Sequence, residues 1–202
     1  MAVARTTFMS NTQIIWAAVA VVALVGALLV GLALARRARH RTAILQQRFG
    51  SEYDRARAQY GSRAERVLAE RVRHVAGFHV RDLSDAERER FVSAWTSIQA
   101  QFVDDPRSAV GRANDLIKEV MRARGYSADD AFERRAADLS VDHPDVVEHY
   151  RAAHVLAQSE EPIDTEDLRQ AVVHYRVIFE DLLAPAASRP PPVALSPAQK
   201  PA

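Results

Sequence analysis

The chain contains no cysteine, which removes disulfides, thiolate nucleophiles and thiolate metal sites together and agrees with a reducing compartment. Lysine is nearly missing too: Lys118 and Lys200 are 2 of the 27 basic residues, leaving 25 arginines. Those arginines alternate with Glu and Asp along helical stretches and lack the aromatic partners of a nucleic-acid stripe. They read as a solvated face, and no nucleic acid is expected as a partner. Glycine is scarce, at 7 residues, and no Gly-rich phosphate loop, GxSxG elbow, HExxH pair or EF-hand loop occurs. No catalytic residue stands out, no cofactor is called for, and the chain is not expected to be an enzyme.

What the chain does have is one long apolar run. Ile14 to Ala35, IIWAAVAVVALVGALLVGLALA, holds 22 residues without a charge. As a helix rising about 1.5 Å per residue it reaches about 33 Å, the thickness of a hydrocarbon core. A transmembrane helix is expected, with Trp16 as an interface anchor. Arg36, Arg37, Arg39 and Arg41 follow the run, while only Arg5 precedes it. By the positive-inside rule the amino end lies outside and the carboxyl side stays in the cytoplasm. Ala33-Leu34-Ala35 resembles a signal-peptidase site, but the charges sit after the run and the run exceeds a signal core, so retention as an anchor is expected. Ala23, Ala27, Gly31 and Ala35 recur every fourth residue, a small-residue stripe on which a second helix can approach.

Beyond the span the charge is uneven. Basic residues dominate from Arg36 to Val80, whereas Gly125 to Ala184 holds 14 acidic residues against 5 arginines. The parsing is an external tail over 1–13, a transmembrane helix over 14–35, and a basic juxtamembrane stalk over 36–60. A cytoplasmic helical domain follows over 61–184, then a Pro/Ala-rich disordered tail over 185–202. The stalk's arginines make anionic lipid a candidate partner.

Periodicity and punctuation place the helices. Gly50 and Gly61 bracket SEYDRARAQY, a short charged helix, and Ala64, Val67, Leu68, Val72 and Val75 form a narrow stripe after it. FHVRDL (78–83) reads as an extended connector. Ser84 and Glu87 form a capping box for a helix burying Phe91, Trp95, Ile98 and Phe102. Asp104-Asp105-Pro106 stops it and starts the next, with Val110, Ala113, Ile117, Val120 and Met121 inward and Gly125 at its left-handed end. Ser127 and Asp130 suggest a cap for a helix burying Phe132, Ala136 and Leu139. A helix is expected from Asp142-Pro144, presenting Val147 and Tyr150. Thr165 opens the last, with Leu168, Val172, Tyr175, Ile178, Phe179 and Leu182 inward. The sum is an all-α protein with a bundle of about five or six helices.

V-x-H-Y-R occurs twice, at Val147–Arg151 and Val172–Arg176, 25 residues apart. It reads as a tyrosine packed inward, with His and Arg outward, on an antiparallel helix pair. The densest polar cluster, Asp142-His143-Pro144-Asp145-Val146-Val147-Glu148-His149, offers Asp145 and His149 as metal-ligand candidates, four apart if Pro144 opens a helix. Pairing along the helix and a solvated face are the competing structural reading, and His154 and His174 read as packed or rim residues.

The stretches FGSEYDR, FVDDP, VMRARGY, DLSVDHPDVVEHYRAAH and TEDLRQAVVHYRVIFEDLL resemble a bacterial family of small, singly anchored membrane proteins with no assigned activity. The resemblance spans roughly Thr42 to Leu183 and implies bacterial origin and this architecture, with no active site to carry over. Anchorage without catalytic signatures points to a membrane-tethered interaction module in the bacterial inner membrane, acting as an adaptor or scaffold that binds a cytoplasmic protein or itself. The alternatives are metal or ligand binding at the Asp142–His149 cluster and sensing of an anionic lipid surface.

Overall fold

A computed structural model describes residues 11–127, 131–159 and 164–185. Among them all regular structure is helical: α1 (Asn11–Phe49), α2 (Ser51–Tyr60), a 3-10 turn (Gly61–Arg63), α3 (Ala64–Val75), α4 (Asp85–Asp104), α5 (Pro106–Ala123), α6 (Phe132–Asp142), α7 (Val147–Gln158) and α8 (Thr165–Leu183). Six of these α-helices lie within 61–184. The chain divides into two units, residues 1–43 and 44–202.

In the first unit α1 carries an apolar stretch with a mean hydropathy of 2.4 and no buried residue. Among the described residues it is the helix long and apolar enough to cross a membrane, by length and composition, a test that a signal sequence near an N-terminus passes as well. Trp16 is exposed, as are Ala23, Ala27, Gly31, Arg36, Arg37, Arg39 and Arg41.

The second unit begins at Ile44, inside the stretch that composition assigns to a stalk. Leu45, Phe49, Tyr53 and Ala56 are all buried in its core. The difference has a physical source: Leu45 and Phe49 lie one turn apart at the end of α1, Tyr53 and Ala56 three apart on α2 after the break at Gly50, and the charges between them hide both short stripes from average polarity. α2 and α3 pack together and α3 meets α6, while α8 lies against both α5 and α7, and α4 covers α5.

The helix ends follow local chemistry. Ser84 Oγ accepts from Glu87 N at 3.3 Å and Glu87 Oε2 accepts from Ser84 N at 2.9 Å, the reciprocal capping box. The Asp105 carboxylate caps α5 by accepting from Ser108 N at 3.1 Å, with Pro106 in the first turn. At the far end of α5, Gly125 N donates to Arg122 O and Tyr126 N to Met121 O, a Schellman closure that needs φ +92° at Gly125. A Cβ there would sit 2.3 Å from His79 O, so glycine is required twice over.

Two start points differ from expectation. α6 begins at Phe132 behind Ala131, which makes no side-chain cap, and Asp130 lies outside the described residues. α7 begins at Val147 and not at Pro144: residues 144–146 form a turn closed by Val146 N donating to His143 O. The buried His143 side chain fastens the chain at that point, and the helix resumes one turn later.

Candidate functional site

The run from Asp142 to His149, a single cluster in the sequence, is distributed by the fold to three places. Asp142 ends α6, where its Oδ2 accepts from Tyr126 OH at 3.0 Å and its Oδ1 lies 3.9 Å from Arg48 Nη2. His143 is buried, with Nδ1 on Asp181 Oδ2 and Nε2 3.1 Å from Tyr126 OH. Asp181, His143, Tyr126 and Asp142 thus form a polar chain tying α5, α6 and α8. The histidine side chain, at 0% exposure, and Tyr126, at 4%, make up its buried middle, and the carboxylates of Asp181 and Asp142 its half-buried ends. Asp145 stays exposed in the turn before α7. The helix does not open at Pro144, so the condition that would set Asp145 and His149 four apart on one helical face is not met: Asp145 lies in the turn and His149 on α7.

His149 meets a different partner, His174 of α8, with Nδ1 atoms 2.8 Å apart. The two V-x-H-Y-R copies therefore face one another. Both tyrosines point inward as the motif suggests: Tyr150 and Tyr175 are each 0% exposed. Tyr150 OH accepts from Arg135 Nε at 3.1 Å, while Tyr175 OH has no partner among the described residues. Burial pushes the Tyr175 phenol up, with Tyr150 adding to the effect. The arginines diverge: Arg176 stays outside on Glu180 at 2.7 Å, whereas Arg151 turns inward, against expectation. His154 stacks on Phe132, ring centroids 3.6 Å apart, a rim residue whose pKa burial pushes down, with Arg135 assisting.

Arg151 turns in because a carboxylate waits there. Glu52 of α2, 1% exposed, accepts through Oε1 from Arg71 Nη1 at 2.7 Å and from Arg151 Nη2 at 3.1 Å. Arg151 Nη1 also donates to Glu133 at 2.8 Å. One buried carboxylate thus links α2, α3 and α7, and a buried charge is tolerated only when so compensated. A second buried cation, Arg124, donates to Leu182 O at 2.6 Å and Ala184 O at 3.1 Å and reaches Asp82 at 3.3 Å. It satisfies the end carbonyls of α8 and sits at the negative end of that helix's dipole. Neither network was visible in the sequence, where Glu52 and Arg151 stand 99 residues apart.

One open feature of the second unit is a groove of about 450 Å³ between α4 and α8. Trp95 and Phe179, stacked at 4.8 Å and 15°, form its floor. Val92, 48% exposed, and Thr96 line one wall, Arg88 and Arg176 the rim. Trp95 and Phe179 were read from the sequence as core residues. They are core on one side and groove floor on the other, lying where the first half of α4 runs beside the last turns of α8. No family model, no curated protein and no solved structure matches this chain.

Proposed function

We propose that the chain is a membrane-anchored helical adaptor or scaffold without catalytic chemistry of its own, resident in a bacterial inner membrane with its amino end outside. Its helical unit holds a cytoplasmic protein at the groove between α4 and α8. The observation that carries this reading is that groove, which leaves Val92 48% exposed beside the buried Trp95–Phe179 stack and a rim of Arg88, Arg176 and Glu180. Aromatic anchors ringed by arginine are the composition that protein interfaces favour. The partner segment that fits is a short apolar one, its side chain packed against Val92 and the edge of the Trp95–Phe179 stack. The span supplies the anchorage through α1, which has the necessary length and hydropathy.

The test is site-specific photocrosslinking in cells. A crosslinker at Val92 or Thr96 should capture one reproducible protein band, and one at Val155, exposed on α7, should not. Equal capture at all three positions, or none at any, would end the groove reading. Alkaline phosphatase and fluorescent-protein fusions at the carboxyl end check the compartment: phosphatase activity there would place the helical unit outside and exclude a cytoplasmic partner.

A further inference from the structure

The two V-x-H-Y-R copies bring His149 and His174 together with Nδ1 atoms 2.8 Å apart, ring centroids 5.1 Å apart and planes tilted by 42°. Both rings are half-buried and sit on helices packed along one another. A hydrogen bond between two imidazole nitrogens needs one to carry the proton and the other to offer its lone pair. The pair therefore shares one proton between its Nδ1 atoms. Replace that proton with a metal ion and the same two nitrogens become a chelating pair.

We propose that His149 and His174 form a two-histidine site for a divalent transition-metal ion of the copper(II) or nickel(II) class, with water in the remaining positions. The preference follows from the ligands: imidazole nitrogens suit copper(II) and nickel(II), and copper(II) stands above zinc(II) in affinity for a given nitrogen site. The rings reach the ion by turning about χ2, a torsion with a broad minimum. No third His, Asp or Glu completes a group of three among the described residues, so the ion stays open to solvent. Such a site exchanges its ion and accepts a further ligand, unlike a closed structural centre.

The full chain, purified in detergent without a polyhistidine tag, is titrated with copper(II), nickel(II) and zinc(II) chlorides by calorimetry, and the copper form is examined by electron paramagnetic resonance. The expected result is one equivalent of copper(II) with hyperfine coupling to two imidazole nitrogens, and weaker zinc(II) binding. His149→Gln and His174→Gln should each abolish the two-nitrogen signal, while His79→Gln, at an exposed histidine of the connector, should leave it unchanged. Far-ultraviolet circular dichroism of each variant separates loss of the site from loss of the fold. No copper(II) binding, or binding that survives both substitutions with its spectrum intact, would overturn the assignment. The photocrosslinking pattern at Val92 is independent of this site and distinguishes its failure from that of the adaptor reading.

Discussion

Arg151 offers an internal contest between distance and burial. Its two carboxylate partners lie at similar range, Glu133 at 2.8 Å and Glu52 at 3.1 Å, but Glu133 is 77% exposed and Glu52 1%. If distance governed, losing the nearer Glu133 would hurt more. Burial reverses that order. An exposed ion pair is screened by water and contributes about 0–1 kcal/mol. Removing one member of a buried set strands the others, and Glu52→Ala would leave the side chains of Arg71 and Arg151, 13% and 8% exposed, without their shared anion, a cost of about 3–5 kcal/mol. For a unit of this size each kcal/mol moves Tm by about 2–4 °C, so Glu52→Ala should lower Tm by about 6–20 °C and Glu133→Ala by less than about 4 °C. The assay is urea and thermal unfolding of the detergent-purified full chain, followed by circular dichroism. A double-mutant cycle of Glu52→Ala with Arg151→Met should show coupling of about 1–3 kcal/mol, since the second change removes part of what the first stranded. Equal losses for the two carboxylates, or strict additivity in the cycle, would refute the claim that the buried Glu52 organises this network.

Glycine substitutions should act with opposite signs. Gly125→Ala meets both φ +92° and a carbonyl oxygen 2.3 Å away, and should cost more than about 2 kcal/mol, whereas Gly111→Ala, with open space around a Cβ inside α5, should stabilise by about 0.5–1 kcal/mol in the same unfolding assay. The twin tyrosines should split likewise. Tyr175→Phe removes a buried hydroxyl that has no partner among the described residues and should be neutral or stabilising by about 1 kcal/mol, while Tyr150→Phe takes an acceptor from Arg135 Nε and should cost about 1–3 kcal/mol. For pH, the folded state holds His174 below its ordinary pKa of 6.5, so the unfolded chain binds the proton first as pH falls. Stability should be fully present above about pH 6.5 and decline below it. A proton NMR titration should find the His174 pKa rising towards its ordinary value in His149→Gln, and an unchanged value would remove the inter-histidine contribution.

What the sequence determined by itself is everything that depends on neighbours along the chain. The apolar window from Ile14 to Ala35, the Phe91-Trp95-Ile98 face, the Ser84–Glu87 box and the Gly125 terminus all rest on interactions within about one to three helical turns, and periodicity or a single residue type is enough to reveal them. The inward Tyr150 and Tyr175 were legible for the same reason. What only the tertiary structure decided is where charged and polar groups of different helices meet. Glu52 looked like one more solvated acid in SEYDRARAQY, and its burial depends on Arg151 arriving from 99 residues away. Asp145 and His149 looked like a pair, but the turn at residues 144–146 separates them and α8 brings His174 to His149 instead. A charge is stable inside only when its counter-charge is brought there by packing, and packing depends on the shapes of all the helices at once. No local pattern of residues encodes that condition.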